Sequence, residues 1–243
     1  FIYKFFGTAN DFLIMRLIQV VFSSASCLLA YLIASEAIKS YSPYCREAGF
    51  AAGLLMAINP KMVVYTNHLY VETVFITIYL AIAYFALLYI KHELPFNLRQ
   101  RSSGRPQNKY LIFYAVALGF GNLTRPVLLL IPGVMIVFIL LHAAFKGYPM
   151  AKALRTIAID TGITFGIMLM IFSPWVIRNY AVTGRFILID TNGPINFYMA
   201  HNKLANGQWV DVKPHTDFEK LYETGYREGL KFILENPGKE WEL

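Results

Sequence analysis

Four long stretches of the sequence contain no Asp, Glu, Lys or Arg. They cover residues 17–35, 73–90, 126–145 and 161–177 and are 19, 18, 20 and 17 residues long. Because a helix needs about 20 apolar residues to cross the hydrocarbon core of a bilayer, each stretch is close to the length of one span. A water-soluble domain would distribute its charges along the chain to cover a surface. The sequence therefore predicts a polytopic membrane protein.

The apolar pattern predicts six membrane-spanning helices. We place them near residues 12–34, 46–65, 70–90, 110–124, 126–145 and 156–177. Pro60 interrupts the second, so that span is predicted to be kinked or to end in a buried loop. Ser173-Pro174-Trp175 is expected to end the sixth with a proline kink and an interfacial Trp. The predicted fold is thus all-α over residues 1–177, a transmembrane helical bundle.

Residues 178–243 are predicted to form a small α+β segment outside the membrane. The RFILID sequence at 185–190 alternates weakly, as a short strand does, and Thr191-Asn192-Gly193-Pro194 is a turn signal. A helix is predicted near 216–236, since Thr216 and Glu219 match a capping box and an apolar face follows.

The net charge of +7 is explained better by membrane topology than by nucleic-acid binding. Residues 1–177 hold 14 Lys+Arg against 6 Asp+Glu, whereas residues 178–243 hold 8 against 9. Ten of the basic residues lie in the loops 35–47, 91–109 and 146–155. The positive-inside rule makes these loops cytoplasmic, which places residues 178–243 on the extracytoplasmic side. No nucleic-acid partner is predicted.

Common catalytic and cofactor motifs are missing from the sequence. It has only two cysteines, Cys27 and Cys45, which excludes a disulfide framework and a Cys-rich metal site. The motifs H-E-x-x-H, G-x-S-x-G, G-x-G-x-x-G and the P-loop do not occur. We therefore predict no metal and no other cofactor.

Polar residues near the apolar spans gather at the predicted outer face. In a membrane protein such residues are costly to place and often functional. If the bundle is compact, they ring a common external cavity, with three residues of the outer segment as a further polar wall. This set comprises Asn67, His68, Glu72, Asn122, Thr124, Arg125, Arg178, Asn179 and Tyr180, with Tyr198, His201 and Asn202 in the outer segment.

Glu72 and Arg125 each admit a structural and a functional interpretation. Glu72 is expected in the first turn of its helix, where the helix dipole alone favours a carboxylate; it could also act as a general base, a cation ligand or a partner for a sugar hydroxyl. Arg125 could snorkel to the interface or bind a phosphate, and with Arg178 it would form a two-arginine anion clamp. Asp160, near the expected start of its helix, is explained by the dipole.

Six segments together resemble one family of membrane enzymes. They are FGTANDFLIMRLIQVVFSS (6–24), AINPKMVVYTNHLYVET (57–73), GFGNLTRP (119–126), PWVIRNYAVTGRF (174–186), NGPINFYMAHNKLANGQW (192–209) and ENPGKEW (235–241). Their order and spacing around the spans resemble the membrane glycosyltransferases of the C-type (GT-C) superfamily, in particular the dolichyl-phosphate-mannose protein mannosyltransferases and the lipid A aminoarabinose transferases.

The resemblance implies transfer of a sugar from a polyprenyl-phosphate donor to a protein, lipid or glycan acceptor, by an inverting mechanism at the outer face of a bacterial inner membrane. The family's general base is an Asp in the first extracytoplasmic loop, which is expected upstream of Phe1. The chain is therefore expected to be the central part of a longer enzyme and inactive by itself. By position, Arg125 and Arg178 would bind the donor phosphate, Glu72 would support the base, and His201 with Asn202 would face the acceptor.

Two other functions remain open. A membrane transporter would have broken helices, polar residues near the midplane and an internal repeat; the spans have uncharged middles and no repeat, although Ser23, Ser24 and Ser26 lie in the first one. A non-catalytic membrane scaffold is the third interpretation.

Overall fold

The computed structural model describes residues 11–67, 71–94, 108–190, 192–207 and 218–240, and these form helices joined by short turns. In chain order the helices are α1 (Asp11–Ile38), α2 (Cys45–Ala57), α3 (Pro60–Asn67), α4 (Glu72–His92), α5 (Lys109–Thr124), α6 (Ile131–Phe145), α7 (Met150–Thr183), α8 (Asn192–Ala200), α9 (Phe218–Glu235) and α10 (Pro237–Glu240). A 3₁₀ turn at Pro126–Leu130 leads directly into α6. The described part of the chain is therefore all-α.

Four helical segments are long and apolar enough to cross a membrane. They are Leu13–Ile38, Glu72–His92, Pro126–Phe145 and Met150–Thr183. Helices α2 and α3 would form a fifth span if counted together, but they are bent by 51° at their junction. That bend agrees with the predicted interruption at Pro60. The described residues thus contain four or five candidate spans, and the predicted number of six is not supported.

Helix α5 is the reason for the lower number. It has 16 residues, which at 1.5 Å per residue is about 24 Å and shorter than a hydrocarbon core of about 30 Å. One side of it packs inside the protein, where Ala115, Leu118 and, near its end, Asn122 are fully buried, while Phe113 and Phe120 are exposed. Sequence analysis predicted it as a span because its residues are apolar, and the burial of one side against other helices accounts for part of that apolarity.

Helix α7 is much longer than the predicted span. It has 34 residues, begins at Met150 and continues through Pro174 to Thr183. Pro174 therefore does not end the helix, and the expectation that the membrane span ends there stays a prediction. The earlier start also places Asp160 ten residues beyond the first residue of the helix, and no longer in its first turn.

Small and polar side chains hold α1 against its neighbours. A Cβ on Gly53 would lie 3.2 Å from the carbonyl oxygen of Cys27, so α2 approaches the backbone of α1 closely. On the other side, Thr77 of α4 donates to the carbonyl of Phe22 at 2.9 Å, and its hydroxyl also lies 2.8 Å from that of Ser26. These contacts fix α1, α2 and α4 as one packed group.

The chain divides into two compact units, Phe1–Trp175 and Val176–Leu243. In the second unit, α8 and α9 pack around Met199 and Leu221. Gly225 permits this packing, because a Cβ there would lie 2.3 Å from the carbonyl oxygen of Pro194.

Two predictions for the second unit are wrong. Residues 185–190 form no strand, and residues 192–200 form α8 where a turn was expected. Pro194 is compatible with a helix there because it lies in the first turn, where its missing N–H is not needed. The predicted helix near 216–236 is present as α9, while the capping residue Thr216 lies outside the described residues.

Candidate functional site

The first unit brings together Glu72 and Arg125, two residues that the sequence placed at the outer face. Glu72 is the first residue of α4, and Arg125 follows the last residue of α5 in an extended conformation, with φ of −149° and ψ of 119°. The Nη2 atom of Arg125 donates to Oε1 of Glu72, which makes a direct ion pair. The arginine side chain is 46% exposed, so the pair lies at the surface of the helical group.

The pairing follows from the way α4 and α5 run side by side in opposite directions. At the far end, the carboxylate of Glu93 accepts the N–H groups of Tyr110 and Leu111 at 2.9 and 3.0 Å. The end of α4 is therefore tied to the start of α5, just as Glu72 at the start of α4 is tied to Arg125 at the end of α5. This antiparallel register brings Arg125 to Glu72.

Arg125 is also held by an aromatic ring. Its guanidinium carbon lies 5.5 Å from the centroid of Phe75, one turn into α4, at a distance typical of a cation–π contact. A guanidinium has five N–H donors in a planar fork, and the carboxylate of Glu72 accepts from Nη2. The guanidinium of Arg125 is held in place and half-exposed, so it can donate hydrogen bonds to an anion with several oxygens, such as a phosphate.

Three buried oxygens at this end of the α4–α5 pair have no protein donor. They are Oε2 of Glu72, Oγ1 of Thr73 and Oδ1 of Asn122. Thr73 and Asn122 are fully buried, and the amide nitrogen of Asn122 donates to the carbonyl of Leu118 at 2.9 Å. Since nearly all buried polar atoms in proteins have a partner, these acceptors suit a hydroxyl donor from a bound molecule or water.

Asn67 lies on a neighbouring groove. The groove has a volume of about 240 Å³ and runs between α1 and the bent α2–α3 pair. Its polar lining consists of Ser23, Ser24, Thr66 and Asn67, and no charged residue takes part. The amide of Asn67 donates to the carbonyl of Val63 at 3.1 Å. The predicted site residue His68 lies outside the described residues.

In the second unit, Arg178 and Asn179 interact with each other. Nη1 of Arg178 donates to Oδ1 of Asn179 at 3.2 Å, and the side chain of Asn179 is largely buried. Tyr180, the next residue, is exposed. Arg178 and Arg125 belong to different units, so their predicted anion clamp stays a prediction.

The remaining predicted site residues of the second unit lie at the end of α8. Asn202 donates to the carbonyls of Tyr198 and Met199 at 2.7 and 2.9 Å and accepts the N–H of Leu204 at 2.7 Å. These bonds satisfy open carbonyls at a helix end, which is a structural role. Tyr198 packs on the Met199–Leu221 cluster.

His201 completes this group. Its ring lies 4.6 Å from that of Phe197, and the two planes are inclined by 51°. An aromatic contact on one face restricts the orientation of the imidazole. Its assignment to the acceptor remains a prediction.

No group of three or more His, Cys, Asp or Glu side chains that could hold a metal ion occurs within the described ranges. Cys27 and Cys45 are both free thiols. The chemistry available at the Glu72–Arg125 pair is therefore that of a positioned cation with hydrogen-bond acceptors beside it.

Sequence reasoning did not identify Thr73 or Phe75 as part of this site. A clue was available for Phe75, which lies three residues after Glu72 and so shares a helix face with it; Thr73 directly follows Glu72, and its burial depends on tertiary packing. Asn122 had been named with the outer polar residues, but its full burial depends on tertiary packing.

Comparisons with known proteins give no identity for the chain. It matches no family model, no curated protein and no solved structure.

Proposed function

We propose that this protein is an integral-membrane glycosyltransferase that takes a sugar from a polyprenyl-phosphate donor at the extracytoplasmic face. The observation that carries the proposal is the Glu72–Arg125 pair, which presents a half-exposed guanidinium where α4 begins and α5 ends. The order of sequence segments that resembles GT-C enzymes supports it. The acceptor would be a protein, a lipid or a glycan, and the membrane a bacterial inner membrane.

The chemistry of such a transfer requires an anion-binding group. The oxygen of an acceptor hydroxyl attacks the anomeric carbon, the bond from that carbon to the phosphate oxygen breaks, and polyprenyl phosphate leaves with the electron pair. A base takes the hydroxyl proton. Arg125 would stabilise the charge that develops on the leaving phosphate without a metal ion.

Glu72 has a positioning role in this proposal. Its Oε1 accepts a hydrogen bond from the guanidinium of Arg125. Because this carboxylate is already paired with a cation, it is less suited to deprotonate the acceptor hydroxyl. The unpartnered oxygens of Glu72, Thr73 and Asn122 are buried, so a bound donor would be contacted through the half-exposed guanidinium of Arg125. Arg178, Asn179 and Tyr180 belong to the other unit, and their assignment to the donor site stays a prediction from the resemblance.

Donor binding tests the proposal directly. The protein in lipid nanodiscs would be titrated with a fluorescent decaprenyl phosphate, and with the matching decaprenol as a probe that lacks the phosphate. We expect Arg125→Ala to weaken binding of the phosphate by about tenfold or more, because a charge-assisted hydrogen bond contributes roughly 1.5–3 kcal/mol. Binding of decaprenol should not change.

Arg185→Ala is the matched control, because Arg185 is also a half-exposed arginine in an ion pair, with Glu223 at 3.5 Å. It should leave both titrations unchanged. Equal binding of decaprenyl phosphate by the Arg125→Ala protein and the unaltered protein would remove Arg125 from the donor site and, with it, the basis of the proposal.

A membrane transporter is the second candidate, because one observation favours it. The α2–α3 pair is bent by 51° beside an uncharged polar groove, and broken helices that line a polar cavity are common at transporter binding sites. Uptake of a radiolabelled neutral sugar into proteoliposomes, with no polyprenyl phosphate present, would favour this function. Uptake lost in a Thr66→Val, Asn67→Leu double variant would place it at the groove.

A further inference from the structure

Basic side chains converge on one carboxylate where α1 and α4 end, at the opposite end of α4 from the candidate functional site. Glu36, in the last turn of α1, lies 3.5 Å from the ammonium groups of both Lys39 and Lys91. Its Oε1 is also 3.9 Å from Nε2 of His92. Lys91 donates in addition to the backbone carbonyl of Glu36. One carboxylate, two ammonium groups and one imidazole therefore form a single cluster, which we call the Glu36 cluster.

The surroundings of the Glu36 cluster add positive charge. The exposed Lys109 begins α5, and its ammonium lies 4.7 Å from the ring centroid of Tyr110, whose ring is 5.8 Å from that of His92. Glu93 brings a second carboxylate, but its two oxygens accept backbone N–H groups of α5. Residues 95–107, which connect α4 to α5, contain three arginines and no acidic residue. Positive charge is therefore in excess at this end of the helices.

The members of the Glu36 cluster differ in exposure. Lys91 is 22% exposed, and its bond to the carbonyl of Glu36 ties α4 to α1. Lys39 is 67% exposed and His92 is 39% exposed. The helix dipole by itself favours cations at the ends of α1 and α4, so their position alone does not indicate a ligand. Their exposure nevertheless leaves Lys39 and His92 accessible to one.

Two exposed tyrosines provide a second, independent observation that concerns the depth of the cluster. Tyr41 and Tyr44 lie between α1 and α2, just after Lys39, and are 88% and 69% exposed. Tyrosine is enriched where a membrane meets water, because its ring suits the head-group region and its hydroxyl suits water. The candidate span of α1 ends at Ile38. Lys39 therefore lies at the level of the lipid head groups.

We propose that the Glu36 cluster binds the head group of an anionic phospholipid. The phosphate of such a lipid carries a negative charge and free oxygens, which suit charge-assisted hydrogen bonds from Lys39 and His92. Basic pockets between membrane helices on the cytoplasmic side bind anionic head groups, and the loops 35–47 and 91–109 are predicted to be cytoplasmic. A free phosphate offers the same oxygens, but the position at the end of two candidate spans favours the lipid.

Lipid binding tests the proposal. The protein purified in detergent would be titrated with a fluorescent phosphatidylglycerol. The bound probe would then be displaced with unlabelled phosphatidylglycerol, phosphatidylcholine or inorganic phosphate at equal ionic strength. We expect phosphatidylglycerol to displace the probe at a concentration about tenfold lower than phosphatidylcholine, whose head group has no net charge. Inorganic phosphate should not displace it, because it has no acyl chains to bind beside the helices.

Substitutions at exposed lysines locate the effect. Lys39→Gln removes one charge and should weaken binding of phosphatidylglycerol about fivefold, equivalent to roughly 1 kcal/mol. Lys39→Arg keeps the charge and should bind as the unaltered protein does. Lys61→Gln, at an exposed lysine of α3 in the same unit, is the matched control and should leave binding unchanged.

The inference does not depend on glycosyl transfer, and the two sites can be distinguished. Arg125→Ala should leave binding of phosphatidylglycerol unchanged, and Lys39→Gln should leave binding of decaprenyl phosphate unchanged. A loss of phosphatidylglycerol binding in Arg125→Ala, with normal binding in Lys39→Gln, would move the lipid to the other end of α4 and overturn the proposal.

Three further results would overturn it. Equal displacement by phosphatidylglycerol and phosphatidylcholine would show that the site does not select an anionic head group. Displacement by inorganic phosphate at the concentrations at which phosphatidylglycerol acts would favour a soluble phosphate as the ligand. Equal weakening in Lys39→Gln and Lys61→Gln would assign the effect to the net charge of the protein and not to the Glu36 cluster.

Discussion

The two ends of the α4–α5 pair are both closed by a carboxylate, but the carboxylates hold different partners. At one end Glu72 holds the guanidinium of Arg125, whose side chain is 46% exposed. At the other end Glu93 accepts the N–H groups of Tyr110 and Leu111 in the first turn of α5. One carboxylate thus positions an accessible cation, and the other satisfies open backbone donors at a helix start.

The comparison shows that partner and exposure decide what an acidic residue does. A half-exposed ion pair contributes only about 0–1 kcal/mol to stability because water screens it. Unsatisfied backbone donors at a packed helix start cost about 1–3 kcal/mol. We therefore expect changes at the Glu93 end to act on stability and changes at the Glu72 end to act on binding.

The largest expected effect concerns the sides of the membrane on which the two ends lie. The basic loop at 91–109 predicts that the Glu93 end is cytoplasmic, and residues 178–243 are predicted to be outside. In a protein whose Cys27 and Cys45 are replaced by Ser, Ser103→Cys should not react with an impermeant maleimide added to intact cells. Lys203→Cys, in the second unit, should react fully.

Detergent permeabilisation serves as the control for this experiment, since Ser103→Cys should then become reactive. Labelling of Ser103→Cys in intact cells would invert the topology. The Glu72–Arg125 pair would then face the cytoplasm, and the proposed extracytoplasmic donor site would be wrong.

The next largest effect is expected on stability, from a substitution at Gly121, where α5 packs against α4. A Cβ at this position would lie 2.6 Å from Cδ1 of Leu128 and 3.1 Å from Cγ2 of Ile78. Gly121→Val should lower the free energy of unfolding in detergent by about 1–3 kcal/mol, a typical cost of overpacking. Gly162→Val is the matched helical control, because a Cβ there has open space within 4 Å.

Equal stabilities of the two glycine variants would show that α4 and α5 do not pack as closely as described. If Gly121→Val also lost decaprenyl phosphate binding while it remained folded, the register between α4 and α5 would be shown to control the Glu72–Arg125 pair.

The membrane-spanning character of the protein could be predicted from the sequence alone. Length and apolarity are local properties, so each of the four charge-free stretches lies within one of the four candidate spans of the structure. Helix α5 could not be assigned correctly in the same way, because an apolar helix buried by protein and one exposed to lipid have similar compositions. The end of α7 could not be predicted from Pro174 either, because a proline can kink a helix without ending it, and α7 continues to Thr183.

The candidate site was predictable only in part. Sequence placed Glu72 and Arg125 at the same face of the membrane, but their direct pairing depends on the register of two antiparallel helices. For Asp160, by contrast, the structure removes an explanation that the sequence had provided. Its explanation by the helix dipole depended on a helix start near residue 156, and the observed start at Met150 removes that explanation.

A smaller effect is expected from Glu93, whose two oxygens accept N–H groups from α5. Glu93→Ala should lower the free energy of unfolding by about 1–2 kcal/mol, as the loss of a helix N-terminal acceptor does. Glu223→Ala, at an exposed residue with a 3.5 Å ion pair, is the control and should change stability much less. Decaprenyl phosphate should bind the Glu93→Ala protein as it binds the unaltered one, and weakened binding there would contradict the division of roles.

The smallest effect on stability is expected from Glu72→Gln. This change keeps the shape of the side chain and one acceptor oxygen for Arg125, and the pair is exposed to water, so the free energy of unfolding should fall by less than about 1 kcal/mol. Binding of decaprenyl phosphate should nevertheless weaken several-fold, because the guanidinium would be held less firmly in place. The two measurements on this single variant distinguish positioning from stabilisation. A large loss of stability with unchanged binding would mean that Glu72, like Glu93, serves mainly to hold α4 and α5 together. The two carboxylates would then differ only in the group that each one binds.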